Sequence, residues 1–262
     1  MSKNMPSLNA KEKRKRIKDY ISNLQKTFRL FAADQGVRSR CNGMLTSCSK
    51  NIDLLSNIGK SNQSFEISID PNWIIPIENN VCGINGSTEL KVGGYIRIKS
   101  GILQDQSINI CLLFKPKDDI SHENSYSTYA MSKDEYEVIR RFHFDYDTAL
   151  IENDRPRSHM QYGGKYIDRV ADEGKGNYRL MHGLKLPRIP YPPYDITLII
   201  DLFLRQFRTP LKPIIEGNQW RRLVCESERL WLSGYYDEIN NHLSSASRTT
   251  TLHERQYQHL DW

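Results

Sequence analysis

The sequence lacks the features of several large protein classes. Its five cysteines form no C-x-x-C pair, which argues against a disulfide framework and against a cysteine-rich zinc site. No run of 18 apolar residues occurs and the N-terminus has no apolar signal core, so we expect no membrane span and no secretion signal. Walker A, G-x-G-x-x-G and G-x-S-x-G patterns are also missing. These absences favour a cytoplasmic protein with reduced thiols.

Positive charge is in modest excess. The 262 residues include 37 Lys and Arg against 31 Asp and Glu, a formal net charge of +6. Much of the excess lies in Lys11–Lys18, at the start of a predicted helix. Such a run is either a solvated helix end or an arm that contacts phosphates, so nucleic acid is a candidate partner.

The order of the predicted elements favours an α+β fold. Apolar residues at spacings of three and four predict a helix from Ala10 to about Asp34 and a second from Thr46 to Ile58. Strand patterns then dominate, and helical patterns return after Asp195. We therefore expect a central, mostly antiparallel sheet with an N-terminal helix and two C-terminal helices packed around it. The predicted division is 1–62 (helical), 63–190 (β core) and 191–262 (helical), within one compact domain.

Several local patterns in the β core make further predictions. Gly93-Gly94 predicts a turn or a bulge within the strand pattern Leu90–Ile98. Ile108–Phe114 is rich in apolar residues and predicts a strand that is buried on both faces. Ser132–Val138 has a capping-box pattern that predicts a short helix.

The C-terminal third has clear helix signals. Asp195 is a predicted N-cap for an apolar helix, in which Asp201 and Arg205 are spaced for an ion pair. Asn218 is the predicted N-cap of a last long helix.

Two alternating strand patterns carry the strongest functional signal. In Arg141–Asp147, the aromatic residues fall on one face, and Arg141, His143, Asp145 and Asp147 fall on the other. In Ser158–Gly164, His159 and Gln161 share a face. If these strands pair, two imidazoles and two carboxylates share one sheet surface, where His143 and His159 would act as acid and base in RNA cleavage.

The other predicted site residues complete this hypothesis. Asp145 and Asp147 would orient the imidazoles or bind a divalent metal. Arg155 and Arg157 would hold phosphate, and Gln161 would contact substrate. The hypothesis requires His143 and His159 to face each other across the strand pair. The alternative is a solvent-facing sheet surface whose charges only pair with one another.

A third hypothesis rests on a short motif. Asp70-Pro71, followed by Glu89-Leu90-Lys91, has the spacing of the PD…(D/E)xK nuclease pattern, in which an acid pair holds a metal and the lysine orients water. The pattern also arises by chance in many proteins, and it requires the three charged residues to converge in space.

The stretch from residue 140 to 210 resembles a known family. Phe142–Asp147, Ser158–Gly163, Leu186–Pro190 and the sequence Leu-Phe-Leu-Arg-Gln-Phe at 202–207 resemble a bacterial domain of unknown function found in defence islands and mobile elements. The strand pair more faintly resembles TumE-type toxins of toxin–antitoxin systems. The resemblance implies a toxin or phage-defence setting and a partner protein from the same operon. A non-catalytic adaptor or nucleic-acid-binding subunit is the alternative.

Overall fold

The computed structural model contains five helices and six strands within the part of the chain that it describes. The described residues are 10–34, 38–57, 64–77, 86–100, 102–116, 137–148, 156–163, 188–247 and 249–252. The elements in chain order are α1 (Ala10–Ala32), α2 (Arg38–Asn57), β1 (Ser64–Ile77), β2 (Gly86–Lys99), β3 (Ile102–Pro116), β4 (Glu137–Asp147), β5 (Ser158–Tyr162), β6 (Ile189–Pro190), α3 (Ile196–Gln206), α4 (Lys212–Ile215) and α5 (Asn218–Ser244).

The strands form one antiparallel sheet in the order β1-β2-β3-β4-β5-β6. Successive side chains of a strand point to opposite faces, so each strand contributes to an apolar face and to a polar face. The aromatic contacts between sheet and helices, described below, lie on the apolar face. The predicted α+β fold with a mostly antiparallel sheet between N-terminal and C-terminal helices is confirmed. The division into three segments of one domain stays a prediction.

Helix α1 forms along the apolar stripe that the sequence shows. Its inward side chains are fully buried: Ile17, Tyr20, Ile21, Leu24, Phe28 and Phe31. The rings of Phe28 and Phe31 each lie 5.6 Å from the Trp73 ring of β1, edge to face. Burial of each such side chain contributes about 1.5–3 kcal/mol, so the stripe fixes α1 on the sheet. The prediction of this helix is confirmed, and its last residue is Ala32.

Helix α3 packs on strand β4 of the sheet. Asp195 is its N-cap and accepts a hydrogen bond from the Leu198 backbone N–H at 2.9 Å, as predicted. The ring of Phe203 lies 5.2 Å from the Phe142 ring and 6.1 Å from the Phe144 ring of β4. Because these two phenylalanines point towards α3, the residues that alternate with them along β4 point to the opposite, polar face of the sheet. The predicted pair Asp201–Arg205 is also present, at 2.8 Å.

A buried polar network joins three helices behind the sheet. Ser227 of α5 donates a hydrogen bond to the second carboxylate oxygen of Asp195 at 2.7 Å. Asn23 of α1 donates to the Ser227 hydroxyl at 2.9 Å and to the Leu223 carbonyl at 3.1 Å. We call Asp195, Ser227 and Asn23 the Asp195 network. Complete burial raises the pKa of Asp195 to about 6.

The glycine pair of β2 does not form a turn. Gly93 and Gly94 pair with Asn109 and Ile108 inside a continuous strand. Gly94 has φ +136°, and a Cβ there would lie 1.9 Å from the Ser107 carbonyl oxygen. Only glycine fits this close approach of two strands. Strand β1 contains two prolines, and it continues through Pro76, which pairs with Glu89; its register is irregular between Ile69 and Trp73.

The predicted strand Ile108–Phe114 is confirmed as buried on both faces: Ile108 and Ile110 are at most 1% exposed on one face, and Cys111 and Leu113 are at most 5% exposed on the other. Two other local predictions are wrong. The predicted helix Ser132–Val138 does not reach its predicted end, since Glu137 and Val138 pair with β3; residues 132–136 lie outside the described part of the chain. Long-range strand pairing therefore overrides the local capping pattern. Helix α5 begins at Asn218 with Gly217 as its N-cap, one residue before the predicted cap.

Candidate functional site

Polar side chains occupy the sheet face opposite the helices, which we call the polar face. The predicted pairing of the two site strands is confirmed: β4 and β5 are antiparallel neighbours. Strand register arranges the polar face in rows that run across the sheet. The three central rows are His159–Asp145–Ser107–Tyr95, Gln161–His143–Asn109–Gly93 and Arg141–Cys111–Lys91.

The first row contains a close imidazole–carboxylate pair. His159 is directly opposite Asp145, and its Nε2 lies 3.4 Å from the Asp145 Oδ2. This ion-pair contact is too long and too poorly directed for a strong hydrogen bond. Burial acts to raise the pKa of Asp145, but the interactions with His159 and Ser107 outweigh burial and lower it. Asp145 is therefore a fixed carboxylate that is ionised at neutral pH.

Both ring nitrogens of His159 face protein groups. Nδ1 lies 3.0 Å from the Pro156 carbonyl oxygen, which only accepts, so Nδ1 carries the proton. Nε2 faces Asp145, and only 2% of the side chain is exposed. A substrate would have to displace one of these contacts to reach the ring. His159 therefore packs against Asp145, and its burial closes Nε2 to direct contact with a substrate in this arrangement.

His143 lies in the second row, opposite Gln161 on one side and Asn109 on the other. Burial and, after it, the charge of Arg141 lower its pKa to about 4, against the opposing effect of Asp145. His143 is therefore neutral at pH 7. The expectation that His143 and His159 face each other is wrong, because the register sets them diagonally across β4 and β5. A neutral imidazole and an oriented carboxylate, His143 and Asp145, are instead neighbours on one strand.

The remaining predicted residues lie at the edges of this arrangement. Asp147 pairs with Asp105 of β3, at the end of the polar face away from Arg141. Arg157 is partly buried, and its backbone carbonyl accepts a hydrogen bond from the Asp147 N–H at 3.0 Å. Arg155 lies outside the described residues. The structure thus brings Asp145, His143, His159 and Gln161 together and sets Asp147 one row further out.

The third hypothesis concerns another part of the same face. Glu89 and Lys91 lie two residues apart on β2, so both point to the polar face. The backbone of Asp70 lies in the irregular part of β1 between Ile69 and Trp73. The side chain of Asp70 lies outside the described ones, so the nuclease motif stays a prediction.

Two residues of β3 also belong to this part of the polar face, and they were not predicted from the sequence. Ser107 and Asn109 are the cross-strand neighbours of Asp145 and His143, and they alternate with buried isoleucines. That alternation is visible in the sequence, but the many apolar residues of β3 led only to the prediction of a buried strand. The Asn109 Oδ1 is buried and makes no hydrogen bond within the described part of the chain. Arg141 is 8% exposed, a buried cation within the site strand.

A second candidate surface lies on α1. Its eight basic and two acidic residues give it a net charge of +6, which equals the formal net charge of the whole chain. The positive and negative charges of the other residues therefore cancel. Six of the basic side chains are exposed, and we call them the basic surface: Lys11, Arg14, Lys15, Lys18, Lys26 and Arg29. Arg16 instead turns inward, and its guanidinium donates to the Leu230 carbonyl of α5. The cations therefore stand on a helix that is fixed to the core.

No group of three or more His, Cys, Asp or Glu side chains is arranged to hold a metal ion in the described ranges. No described helix combines the length and apolarity needed to cross a membrane.

The chain matches no protein-family model, and no curated protein or solved structure is significantly similar to it. Its chemistry must therefore be argued from its own residues.

Proposed function

We propose that the protein binds nucleic acid, with RNA as the expected ligand, through the basic surface of α1. The proposed setting is a cytoplasmic toxin or phage-defence system of a bacterium. The observation that carries the proposal is the charge distribution: α1 alone accounts for the net charge of +6, and six of its cations are exposed. A concentrated basic surface attracts the phosphate backbone and releases its counterions.

The attachment of α1 supports this function. Asn23 and Arg16 bind α5, and Tyr20 packs edge to face on Trp231 at 5.0 Å. The exposed cations therefore keep a fixed helical spacing on a rigid support. A rigid basic helix loses less conformational entropy on binding than a disordered basic tail would.

The test compares two charge-neutralised variants that have equal net charge. In the first variant, glutamine replaces four basic residues of α1: Lys11, Arg14, Lys15 and Lys18. In the control, glutamine replaces four basic residues elsewhere: Lys99, Arg208, Lys212 and Arg221. Fluorescence anisotropy with a labelled oligouridine is measured over a series of salt concentrations. For single-stranded RNA, each lost phosphate contact reduces the slope of log affinity against log salt concentration by about 0.7. The α1 variant should therefore have a slope that is smaller by up to roughly 3.

The two variants separate local binding from overall charge. We expect at least a tenfold loss of affinity for the α1 variant at about 0.15 M salt, and a smaller loss for the control. Equal losses in both variants would mean that only total charge matters. A wild-type protein that does not bind RNA at all would refute the proposal.

RNA cleavage at the polar face is the second candidate function. It is favoured by the arrangement of Asp145, which His159 and Ser107 hold in place beside the neutral imidazole of His143. In this proposal His143 accepts the proton of the ribose 2′-hydroxyl as its oxygen attacks phosphorus, the P–O5′ bond breaks, and the leaving 5′-oxygen takes a proton from water. Asp145 stabilises the imidazolium that forms on His143, and His159 positions Asp145. These roles replace the predicted acid–base pair of two histidines.

Three single variants test these roles against one control. His143→Gln and Asp145→Asn should abolish cleavage of a labelled RNA, whereas His159→Gln should reduce it without abolishing it. His242→Gln, on α5, should leave the rate unchanged. Cleavage by wild type should fall below about pH 4, where the His143 imidazole becomes protonated. Full activity of His143→Gln would exclude His143 as the base, and absent wild-type cleavage would leave nucleic-acid binding as the function.

A further inference from the structure

We propose that Arg141 and Lys91 form a phosphate-binding subsite on the polar face, above Cys111 and beside His143. The inference deepens the proposed RNA cleavage and rests on it for the identity of the ligand, a phosphodiester group. It assigns the phosphate-holding role to two residues that the sequence pattern did not indicate. The predicted holders were Arg155 and Arg157.

Strand register brings the two cations together. Cys111 of β3 is opposite Lys91 of β2 on one side and opposite Arg141 of β4 on the other. Neighbouring strands are about 4.8 Å apart, so the two cationic residues start about 10 Å apart on the same face. Both side chains are long, and the residue between them is small. Their charged ends are therefore able to converge on one anion above the Cys111 thiol.

The two residues differ in a way that suits phosphate binding. Arg141 is 8% exposed and Cys111 is 5% exposed, whereas Lys91 is partly exposed. A guanidinium presents two parallel N–H groups to two phosphate oxygens, and an ammonium adds a mobile point charge. Contacts to a partly buried guanidinium act where water screens charge less than at the open surface. Arg141 is thus the expected anchor, and Lys91 the expected support.

The subsite lies next to the group that would perform the chemistry. His143 is two residues from Arg141 on the same face of β4, a rise of about 7 Å. The two are electrostatically coupled, since after burial the Arg141 charge is the largest cause of the lowered pKa of His143. In the neighbouring row, which contains His143, the β2 residue is Gly93, and it has no side chain. A phosphate held by the two cations would therefore lie within reach of the imidazole.

Sulfate is a suitable probe, because it remains doubly charged over a wide pH range. Sulfate is titrated into the ¹⁵N- and ¹³C-labelled protein, and binding is followed by the NMR signals of the Arg141 guanidinium and the His143 ring. Arg141→Gln should weaken binding at least tenfold and Lys91→Gln severalfold. The matched control is Arg97→Gln, which removes a cation from the same face where Arg97 contacts Glu66 and Asp105. Its affinity for sulfate should equal that of wild type.

The titration does not depend on RNA binding or cleavage. A bound sulfate also offsets the Arg141 charge, so it should raise the pKa of His143. The subsite would be overturned if sulfate shifted the NMR signals of neither Arg141 nor His143, or if it bound equally well to Arg141→Gln. If Arg141→Gln does not fold, unchanged affinity in Lys91→Gln, whose side chain is partly exposed, would overturn it. Specific sulfate binding without any RNA cleavage would instead refute the proposed RNA cleavage and retain the subsite.

Discussion

Asp195 should make the protein less stable as the pH rises. The Asp195 carboxyl is fully buried, and its pKa is raised from 3.8 to about 6. Folding therefore favours the protonated form. The resulting stability is fully present below the unfolded pKa and is lost as the pH rises through the folded pKa. A difference of about two pKa units corresponds to roughly 3 kcal/mol, lost between about pH 4 and pH 7.

Asp195→Asn removes the charge and keeps much of the network. Asparagine caps helices about as well as aspartate, and its Oδ1 would still accept from the Leu198 N–H. Its Nδ2 would donate to the Ser227 hydroxyl, which already accepts from Asn23. The protonated Oδ2 of wild type would donate to the same hydroxyl, so the variant should be about as stable as wild type near pH 4, where Asp195 is protonated. Relative to wild type, it should gain roughly 3 kcal/mol by pH 7.

Urea unfolding at a series of pH values measures this difference directly. Other groups also titrate in this range, but their contributions cancel in the difference between wild type and Asp195→Asn. Asp237→Asn, which removes an exposed carboxylate from α5, should instead give a curve parallel to wild type. A parallel curve for Asp195→Asn would refute the reasoning, because it would mean that the network holds the anion as readily as water does.

Two glycines give opposite predictions for the same substitution, both measured by urea unfolding. Gly94→Ala should destabilise the protein by at least about 2 kcal/mol, since the new Cβ would meet the Ser107 carbonyl at a positive φ; a smaller loss would mean that β2 and β3 separate easily. Gly234→Ala, in the exposed middle of α5 with no atom near the new methyl, should stabilise it by about 0.5–1 kcal/mol. A loss of stability there would contradict the position of this residue in a regular helix.

The sequence was most informative where structure depends on near neighbours in the chain. The stripe of α1, the Asp195 cap and the Asp201–Arg205 pair all depend on residues within one or two helical turns of each other. The alternation in β4 also correctly indicated which side chains share the polar face. The predictions failed where a distant strand decides the outcome, as at Glu137, which pairs with Phe114 rather than ending a helix.

The candidate site was predicted in composition but not in geometry. Alternation places His143 and His159 on one face, but it does not say which residues stand opposite each other. The register of β4 and β5 sets His159 against Asp145, and this single offset is the reason that the proposed site gives His159 a positioning role instead of the predicted acid–base role. The pairing of β3 with β4 adds Ser107 and Asn109 from more than 30 positions earlier in the chain. No local pattern carries that information.

The two candidate surfaces lie on opposite sides of the molecule. The apolar stripe of α1 faces the sheet, so the basic surface points away from the sheet. The polar face is on the far side of the same sheet. One helix layer and one sheet separate them, a thickness on the order of 20 Å. A dinucleotide is too short to touch both surfaces, whereas a long RNA is able to pass around the edge of the sheet. Neutralising α1 should therefore weaken the binding of long RNA and leave the cleavage of a dinucleotide intact. Equal effects on both substrates would contradict the separation of binding from chemistry.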